Sequence, residues 1–325
     1  MLVRKLSSSQ LRVSAPAKVN LYLELLGKRP DGFHELETIM TTVSLFDQLS
    51  FKANQSGQLS LSVQMADSDR SAGPDDSGSE QIPTDQRNLI IKALTHLQKI
   101  GSKSNAGETK TNQVEVSGMD VELLKRIPSS AGLGGASSNA AAALIAGNML
   151  WNLQLSRQQL SDAAAEIGSD VPFFLDGGMA MCRGRGEKIA AIEAPSALSF
   201  VIAKPPVGLS TPSVFGQCKI PEQPRQSADA IAGVKSGRAG RIADSLLNRL
   251  QPAAGRLLDE IGKLEQEFSE LPCLGHQMSG SGSSYFGLFR NQRCARRAAA
   301  RLSARWPALK IHCVTSLGRS GELTA

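Results

Sequence analysis

The chain is poor in aromatic residues, at 4% of 325, and holds only four histidines and five cysteines. Each shortage removes a class of function. With so few rings, and none among the arginines of residues 291–305, there is no stacking platform for a single nucleic-acid strand. Cys182, Cys218, Cys273, Cys294 and Cys313 are odd in number, scattered and never spaced Cys-x-x-Cys. That pattern argues against a disulfide framework and a zinc site, and predicts reduced, mostly buried thiols. His34, His96, His276 and His312 are too dispersed for a metal cluster to be read from spacing. No apolar run reaches the ~20 residues of a bilayer span, and Met1 to Gln10 is polar, without the apolar centre of a secretion signal. A cytoplasmic protein without membrane contact is the default expectation.

What is present is enough for a sizeable core: 41% of the residues are hydrophobic, which suits one large domain or two. The formal net charge of +6 fits an acidic small ligand such as a nucleotide, and fits nucleic acid equally. Much of the excess is local, because Arg293, Arg296, Arg297 and Arg301 fall at helical spacing and read as a solvated helix face.

The most informative absence is of charge between Arg126 and Arg157. Inside that stretch lies Ile127-Pro128-Ser129-Ser130-Ala131-Gly132-Leu133-Gly134-Gly135-Ala136-Ser137-Ser138-Asn139, a small-residue loop that runs into the Ala-rich segment Ala140 to Leu150. Glycines permit close backbone approach, and the first amides of a helix point their N–H groups and the positive dipole end into such a loop. These are the properties of a phosphate cradle. Any neutralising cation has to come from elsewhere in the chain. A dinucleotide fingerprint fits poorly, since its third glycine falls on Ser137 and no acidic residue occurs until Asp162. A nucleotide P-loop would need Gly-Lys-Ser/Thr where this chain has Gly-Ala-Ser. A purely structural Gly/Ala turn is the remaining alternative.

Along the chain, the pattern predicts strands over Leu11 to Leu26, broken by a corner at Ala15-Pro16-Ala17, and over Thr38 to Leu45 and Gln48 to Val63. Lys28-Arg29-Pro30-Asp31-Gly32 is a turn by its Pro-Asp-Gly chemistry. Ala66 to Thr84 reads as a mobile surface insertion, and Gly101 to Asn112 looks similar. A helix is expected over Asn88 to Ile100, and a strand over Val114 to Leu124 leads into the glycine loop. Ser156-x-x-Gln159 has capping-box spacing for a helix to Ile167. Asp170, with Pro172 behind it, reads on spacing alone as an ordinary helix N-cap. Arg183-Gly184-Arg185-Gly186-Glu187 is expected as a turn between two halves. Further on, the pattern gives a strand at Leu198 to Ala203 and helices near Ala228 to Val234, Arg241 to Leu250 and Pro252 to Phe268. Met278-Ser279-Gly280-Ser281-Gly282-Ser283-Ser284 sits between core elements and reads as a second backbone cradle rather than a linker. A strand at Tyr285 to Phe289, the arginine-bearing helix and a strand at Ile311 to Ser316 close the chain.

Three segments, Ala15-Pro16-Ala17-Lys18-Val19-Asn20, Pro128 to Ser138 and Met278 to Ser284, together resemble the three motifs of the GHMP kinases, in matching order and separation. Within that superfamily, Arg29 to Thr38, Asn88-Leu89-Ile90 and Gly168-Ser169-Asp170-Val171-Pro172 resemble the branch that acts in non-mevalonate isoprenoid synthesis. The resemblance implies a two-domain α+β fold: an N-terminal ribosomal-S5-domain-2-like half at 1–180 and a C-terminal ferredoxin-like half at 181–325, whose last segment returns to the first. The active site would lie in the cleft between them. It also implies ATP-dependent phosphorylation of the 2-hydroxyl of 4-(cytidine 5'-diphospho)-2-C-methyl-D-erythritol. Lys18 and Asp170 would be the catalytic pair, Pro128 to Ser138 would wrap the ATP phosphates, and Asn88 and Lys125 would stand near the adenine. For the acceptor, Phe33 and Phe215 would sandwich the cytosine, His34 would read its polar edge, and Asn20 and Thr211 would complete the pocket. Magnesium is expected on the phosphates, with Ser138 as one possible ligand and the rest of the shell unassigned. A monomer or weak homodimer without nucleic-acid partners is expected.

Two departures from the family pattern stand out. Phe33 replaces a usual tyrosine, and Ala131 and Ala136 replace usual glycines, which would narrow the loop's backbone freedom. The competing readings are another small-alcohol kinase of the superfamily, acting on mevalonate or homoserine, and a non-catalytic RNA-binding protein.

Overall fold

The computed structural model describes residues 1–66, 82–104, 118–194 and 196–319. The insertion expected at 66–84, the tract at 101–112 and the start of the strand expected from Val114 fall largely outside these residues.

The first sheet grows from one long hairpin. β1 (Leu2–Ser7) pairs antiparallel with β2 (Gln10–Lys28), which runs antiparallel to β3 (His34–Asn54) along its whole length. The expected corner at Ala15-Pro16-Ala17 is instead a bulge inside one continuous strand, where the register with β3 shifts between Pro16 and Ala17 and then resumes. Proline has no N–H for a ladder, and a bulge is where a sheet tolerates it. The Pro-Asp-Gly turn closes as its chemistry dictates: Gly32 takes φ +85°, and Asp31 Oδ1 accepts from the Phe33 N–H at 3.1 Å. The break expected near residue 46 is absent. The real turn lies at 55–58, where the Ser56 N–H bonds Asn54 Oδ1 at 3.1 Å before β4 (Leu59–Met65) begins.

α1 (Leu89–Ser104) crosses to β5 (Gly118–Lys125), giving the sheet order β1-β2-β3-β5-β4. α2 (Gly135–Leu150) carries no charge and is buried on nearly every side, packed against α1 and β2, as an all-apolar helix must be. α3 (Arg157–Ile167) starts on the predicted capping box, with the Gln159 N–H on Ser156 Oγ and the Ser156 N–H on Gln159 Oε1. Ser156→Ala is accordingly expected to cost about 1 kcal/mol, read as a shifted urea midpoint at unchanged slope. α4 (Val171–Asp176) leads to β6 (Met179–Gly184) and β7 (Lys188–Ala191), a hairpin that pairs β6 with the Leu36–Thr41 stretch of β3. Residues 183–187, expected to join the two halves, are therefore the turn of a hairpin in the first sheet. β7 ends at Ala191, and the first strand of the second sheet starts at Ser199.

β8 (Ser199–Lys204) is the fully buried central strand of the second sheet. α5 (Thr211–Gly216), α6 (Ala228–Lys235), α7 (Ala239–Asp244), β9 (Leu247–Asn248), α8 (Gln251–Leu257) and α9 (Glu260–Ser269) follow. The helix expected to reach Leu250 stops at Asp244 because Leu247 and Asn248 pair in parallel with Tyr22 and Leu23 of β2. The helix expected over Pro252 to Phe268 divides at Leu258, which is extended at φ −149°. β10 (Gly275–Met278), β11 (Tyr285–Phe289), α10 (Gln292–Arg305) and β12 (Lys310–Thr315) complete the sheet in the order β10-β11-β8-β12. On α10, Arg293, Arg296, Arg297 and Arg301 are exposed while Ala295, Ala298 and Leu302 are buried, a solvated arginine face. Beyond β12 the chain bridges back to the first sheet at Val43–Ser316 and Gly177–Arg319.

Polar bonds fix later segments to β2. Glu24 of β2, fully buried, accepts two bonds of 2.6 Å from the guanidinium of Arg249, just after β9, and Gln277 Nε2 of β10 joins the second sheet to the first by donating to the Asn20 and Leu21 carbonyls. Among the described residues no helix is long and apolar enough to cross a membrane. All five cysteines are free, but only Cys182 is buried and the other four are half-buried, fewer than expected.

Candidate active site

The segment from β5 to α2 forms the loop that its composition predicts. Gly134 caps α2 in the left-handed region at φ +70°, Gly132 sits at φ +69°, and Ser130 at φ +46°. Ala131 and Ala136 fall outside these positions, so the two replacements for glycine do not meet the constraint expected of them. No side chain caps α2 and no acidic residue stands in its first turn, which leaves its leading N–H groups to face the loop.

The loop is held from below by a residue that sequence reasoning missed. Asp47 of β3, fully buried, accepts four bonds: Arg126 N–H at 2.7 Å and Ile127 N–H at 2.8 Å on Oδ1, Lys125 Nζ at 2.7 Å and Asn139 Nδ2 at 2.9 Å on Oδ2. One carboxylate thus ties both ends of the loop to the sheet. An aspartate inside an otherwise β-rich run, where its propensity is poor, was the available signal. Lys125, expected beside an adenine, lines the cavity, but its ammonium is directed to Asp47 and to the Ile127 carbonyl. Asn88 likewise lines the cavity with its side chain already engaged, capping α1 through the Ile90 N–H and donating to the Pro83 carbonyl.

The Met278–Ser284 segment backs the first loop. The Ser284 N–H reaches the Ala131 carbonyl at 3.1 Å, Ser279 Oγ donates to the Gly132 carbonyl at 3.0 Å, and Asn248 Nδ2 holds the Met278 and Gly280 carbonyls. A Cβ on Gly132 would overlap the Ser279 carbonyl oxygen, and one on Gly280 would come within 2.8 Å of Lys18 Nζ. Only glycine fits at both positions.

Lys18, at 3% exposure, enters this junction from β2, and its Nζ donates to Asn20 Oδ1. Asn20 Nδ2 in turn donates to Thr38 Oγ1 at 2.8 Å, and that hydroxyl donates to the Tyr22 carbonyl at 2.6 Å. The Asn20 side chain, expected in the acceptor pocket, therefore serves first to aim Lys18. Burial lowers the pKa of Lys18, and the charge of Asp170 opposes that fall. Asp170 stands at the N-cap position of α4 yet makes no capping bond with its side chain, so the ordinary structural role open to it in the sequence is not taken up. It lines the cavity with Lys18, without a direct ion pair between them among the described residues.

At the far end of the cavity the His34 ring lies 5.3 Å from that of Phe215, and burial, followed by the charge of Lys28, lowers its pKa. The Phe33 ring is exposed and carries the Arg185 guanidinium 4.8 Å from its centroid. Thr211 Oγ1 is bonded to Ser281 Oγ at 2.8 Å. Lys18, Asn20, Phe33, His34, Asn88, Lys125, Pro128 to Ser137, Asp170, Thr211 and Phe215 all line one cavity of about 1110 Å³. That exceeds the usual ~300–1,000 Å³ of a single-ligand pocket and has room for a donor and an acceptor together. Ser138, the remaining loop residue expected at the site, is fully buried as the fourth residue of α2 and does not line it.

A two-sheet α+β fold with paired glycine loops over a buried lysine defines a small-molecule kinase class. The chain belongs to the GHMP kinases: residues 88–178 match the GHMP kinase N-terminal domain and residues 230–308 the C-terminal domain. Within that family it is similar to the 4-diphosphocytidyl-2-C-methyl-D-erythritol kinase of Pelotomaculum thermopropionicum, at 38% identity over 88% of this chain and 92% of the relative. A crystal structure of 4-(cytidine 5'-diphospho)-2C-methyl-D-erythritol kinase superposes with a TM-score of 0.71 at 30% identity, covering 94% of this chain and 99% of that one. Homoserine kinase from Cytophaga hutchinsonii shares the fold, with a TM-score of 0.71 at 19% identity over 98% of both chains.

Proposed function

We propose that the chain transfers the γ-phosphoryl group of ATP to the 2-hydroxyl of 4-(cytidine 5'-diphospho)-2-C-methyl-D-erythritol, in the cytoplasm. The observation that carries the reading is the meeting of Lys18 and an uncapped Asp170 in the cavity floored by the glycine loop. Transfer through a loose transition state asks mainly for alignment and for stabilisation of charge on the moving group. Amides of the loop and of the first turn of α2 bind the phosphates. Lys18, aimed by Asn20, faces the transferring phosphoryl group, while Asp170 orients the acceptor hydroxyl and takes its proton late. Asn88 and Lys125 shape the wall beside the adenine. Phe33, Phe215 and His34 form the cytosine end, which Thr211 borders. We place the division between the two domains after residue 191, where the sheets part.

The site also suits magnesium. Asn139 Oδ1 is a buried oxygen with no hydrogen-bond partner on a residue that lines the cavity, and hard oxygen donors are what that ion takes. Asn139 and Asp170 would hold it, and it would neutralise charge on the phosphates; Ser138, which does not line the cavity, drops out as a ligand.

Release of ADP, measured with the cytidine-diphosphate alcohol, mevalonate and homoserine in parallel, tests the acceptor. Turnover is expected with the first alone, and preference for either of the others would remove the reading. Burial, followed by the charge of Lys28, lowers the pKa of His34, so the neutral ring predominates at neutral pH and is protonated only in more acid solution than a free imidazole. The acceptor KM is accordingly expected to rise as the pH falls, at lower pH than the titration of a free imidazole would place the rise, as read from initial rates across the acid range.

A further inference from the structure

The hairpin turn between β6 and β7 presents a cation to the cavity that no part of the proposed chemistry has yet used. Arg185 is half-buried, lines the cavity and forms no ion pair among the described residues. The neighbouring acid, Glu187, is turned back on the hairpin: its carboxylate accepts the Arg185 backbone N–H at 2.6 Å and lies against Gly184. It supports the turn and does not pair with the guanidinium, whose nearest acidic influence is the longer-range charge of Asp31, itself bonded to Arg29. The turn also has a definite position between the two ends of the acceptor. A Cβ on Gly186 would lie 3.6 Å from Asp170 Oδ1, whereas the Arg185 guanidinium sits over the Phe33 ring. One residue thus borders the hydroxyl end, and its neighbour borders the base end.

We propose that Arg185 is the counter-ion of the acceptor's diphosphate; this rests on the acceptor reading above. An alcohol at Asp170 joined through two phosphates to a base at Phe33, His34 and Phe215 must lay those phosphates along the span that Arg185 covers. The planar guanidinium is suited to bind phosphate oxygens with paired N–H donors, and its contact with the Phe33 ring fixes its plane without consuming its charge. Lys28, exposed and also lining the cavity, stands near His34 and adds charge at the base end.

The test is calorimetric titration with CDP and with cytidine, which differ by the diphosphate. The wild-type protein is expected to bind CDP about 10- to 100-fold more tightly than cytidine. Arg185→Gln should bring that ratio close to one, Arg185→Lys should restore part of it, and ATP affinity should be unaltered in both. An unchanged ratio in Arg185→Gln, a wild-type ratio near one, or a loss that falls on ATP instead would each overturn the assignment. Absence of turnover of the cytidine-diphosphate alcohol by a wild-type protein whose CDP preference depends on Arg185 would reject the acceptor reaction and leave the diphosphate site standing.

Discussion

Asp170→Asn is expected to lower kcat by about two to four orders of magnitude while ATP affinity stays within a few-fold. The substitution keeps size and removes the negative charge, and with it the ability to accept the acceptor's proton. The carboxylate makes no capping bond to α4, so thermal stability should change only modestly, through the buried Lys18 ammonium that its charge supports. Single-turnover transfer and ATP binding, measured on the same preparation, separate chemistry from binding. A second effect follows from the pair's coupling. Asp170 holds up the pKa of Lys18 against burial, so its neutralisation lets the ammonium lose its proton at lower pH. The alkaline limb of the residual activity should therefore move to lower pH than in the wild type. Near-wild-type turnover in Asp170→Asn would take the residue out of the mechanism.

The largest structural effect is expected at Asp47. Asp47→Ala removes an acceptor of four bonds and leaves the Lys125 ammonium, at 5% exposure, without its carboxylate. Breaking a buried pair from one side typically costs about 3–5 kcal/mol, a large part of the ~5–15 kcal/mol that holds a domain folded. The same loss frees the chain on both sides of the glycine loop, so ATP affinity should fall together with the urea midpoint. Asp47→Asn keeps an oxygen for the Arg126 and Ile127 amides but presents an NH₂ group near Lys125, and should lie between. A loop that binds ATP normally in Asp47→Asn despite a large fall in stability would show that Asp47 serves the fold alone.

Elements with strong local chemistry were legible in the sequence. The Pro-Asp-Gly turn, the Ser156 capping box and the glycine loop at the start of α2 each depend on residues adjacent in the chain, and each stands where composition placed it. The errors cluster where distant partners decide. Leu247 and Asn248 left a helical pattern to pair with β2, and the Pro16 segment stayed in its strand because β3 ran alongside it. The same distinction holds at the site. All the site residues singled out except Ser138 line a common cavity, but their supports were hidden, Thr38 behind Asn20 and Asp47 beneath the loop, and so was Arg185, on a turn assigned to the wrong connection. Hydrogen bonds that join residues far apart in sequence leave no periodicity to read.

The stitching of Ser284 to Ala131 and of Ser279 to Gly132 has a mechanical consequence. The floor beneath both substrates is one slab spanning the two lobes, so the protein cannot grip its nucleotide by swinging the lobes about a hinge without tearing those amide contacts. Adjustment to substrate is left to the Arg29–Phe33 turn and the Arg185–Glu187 turn, which meet where Arg185 lies on the Phe33 ring and are not stitched to that floor.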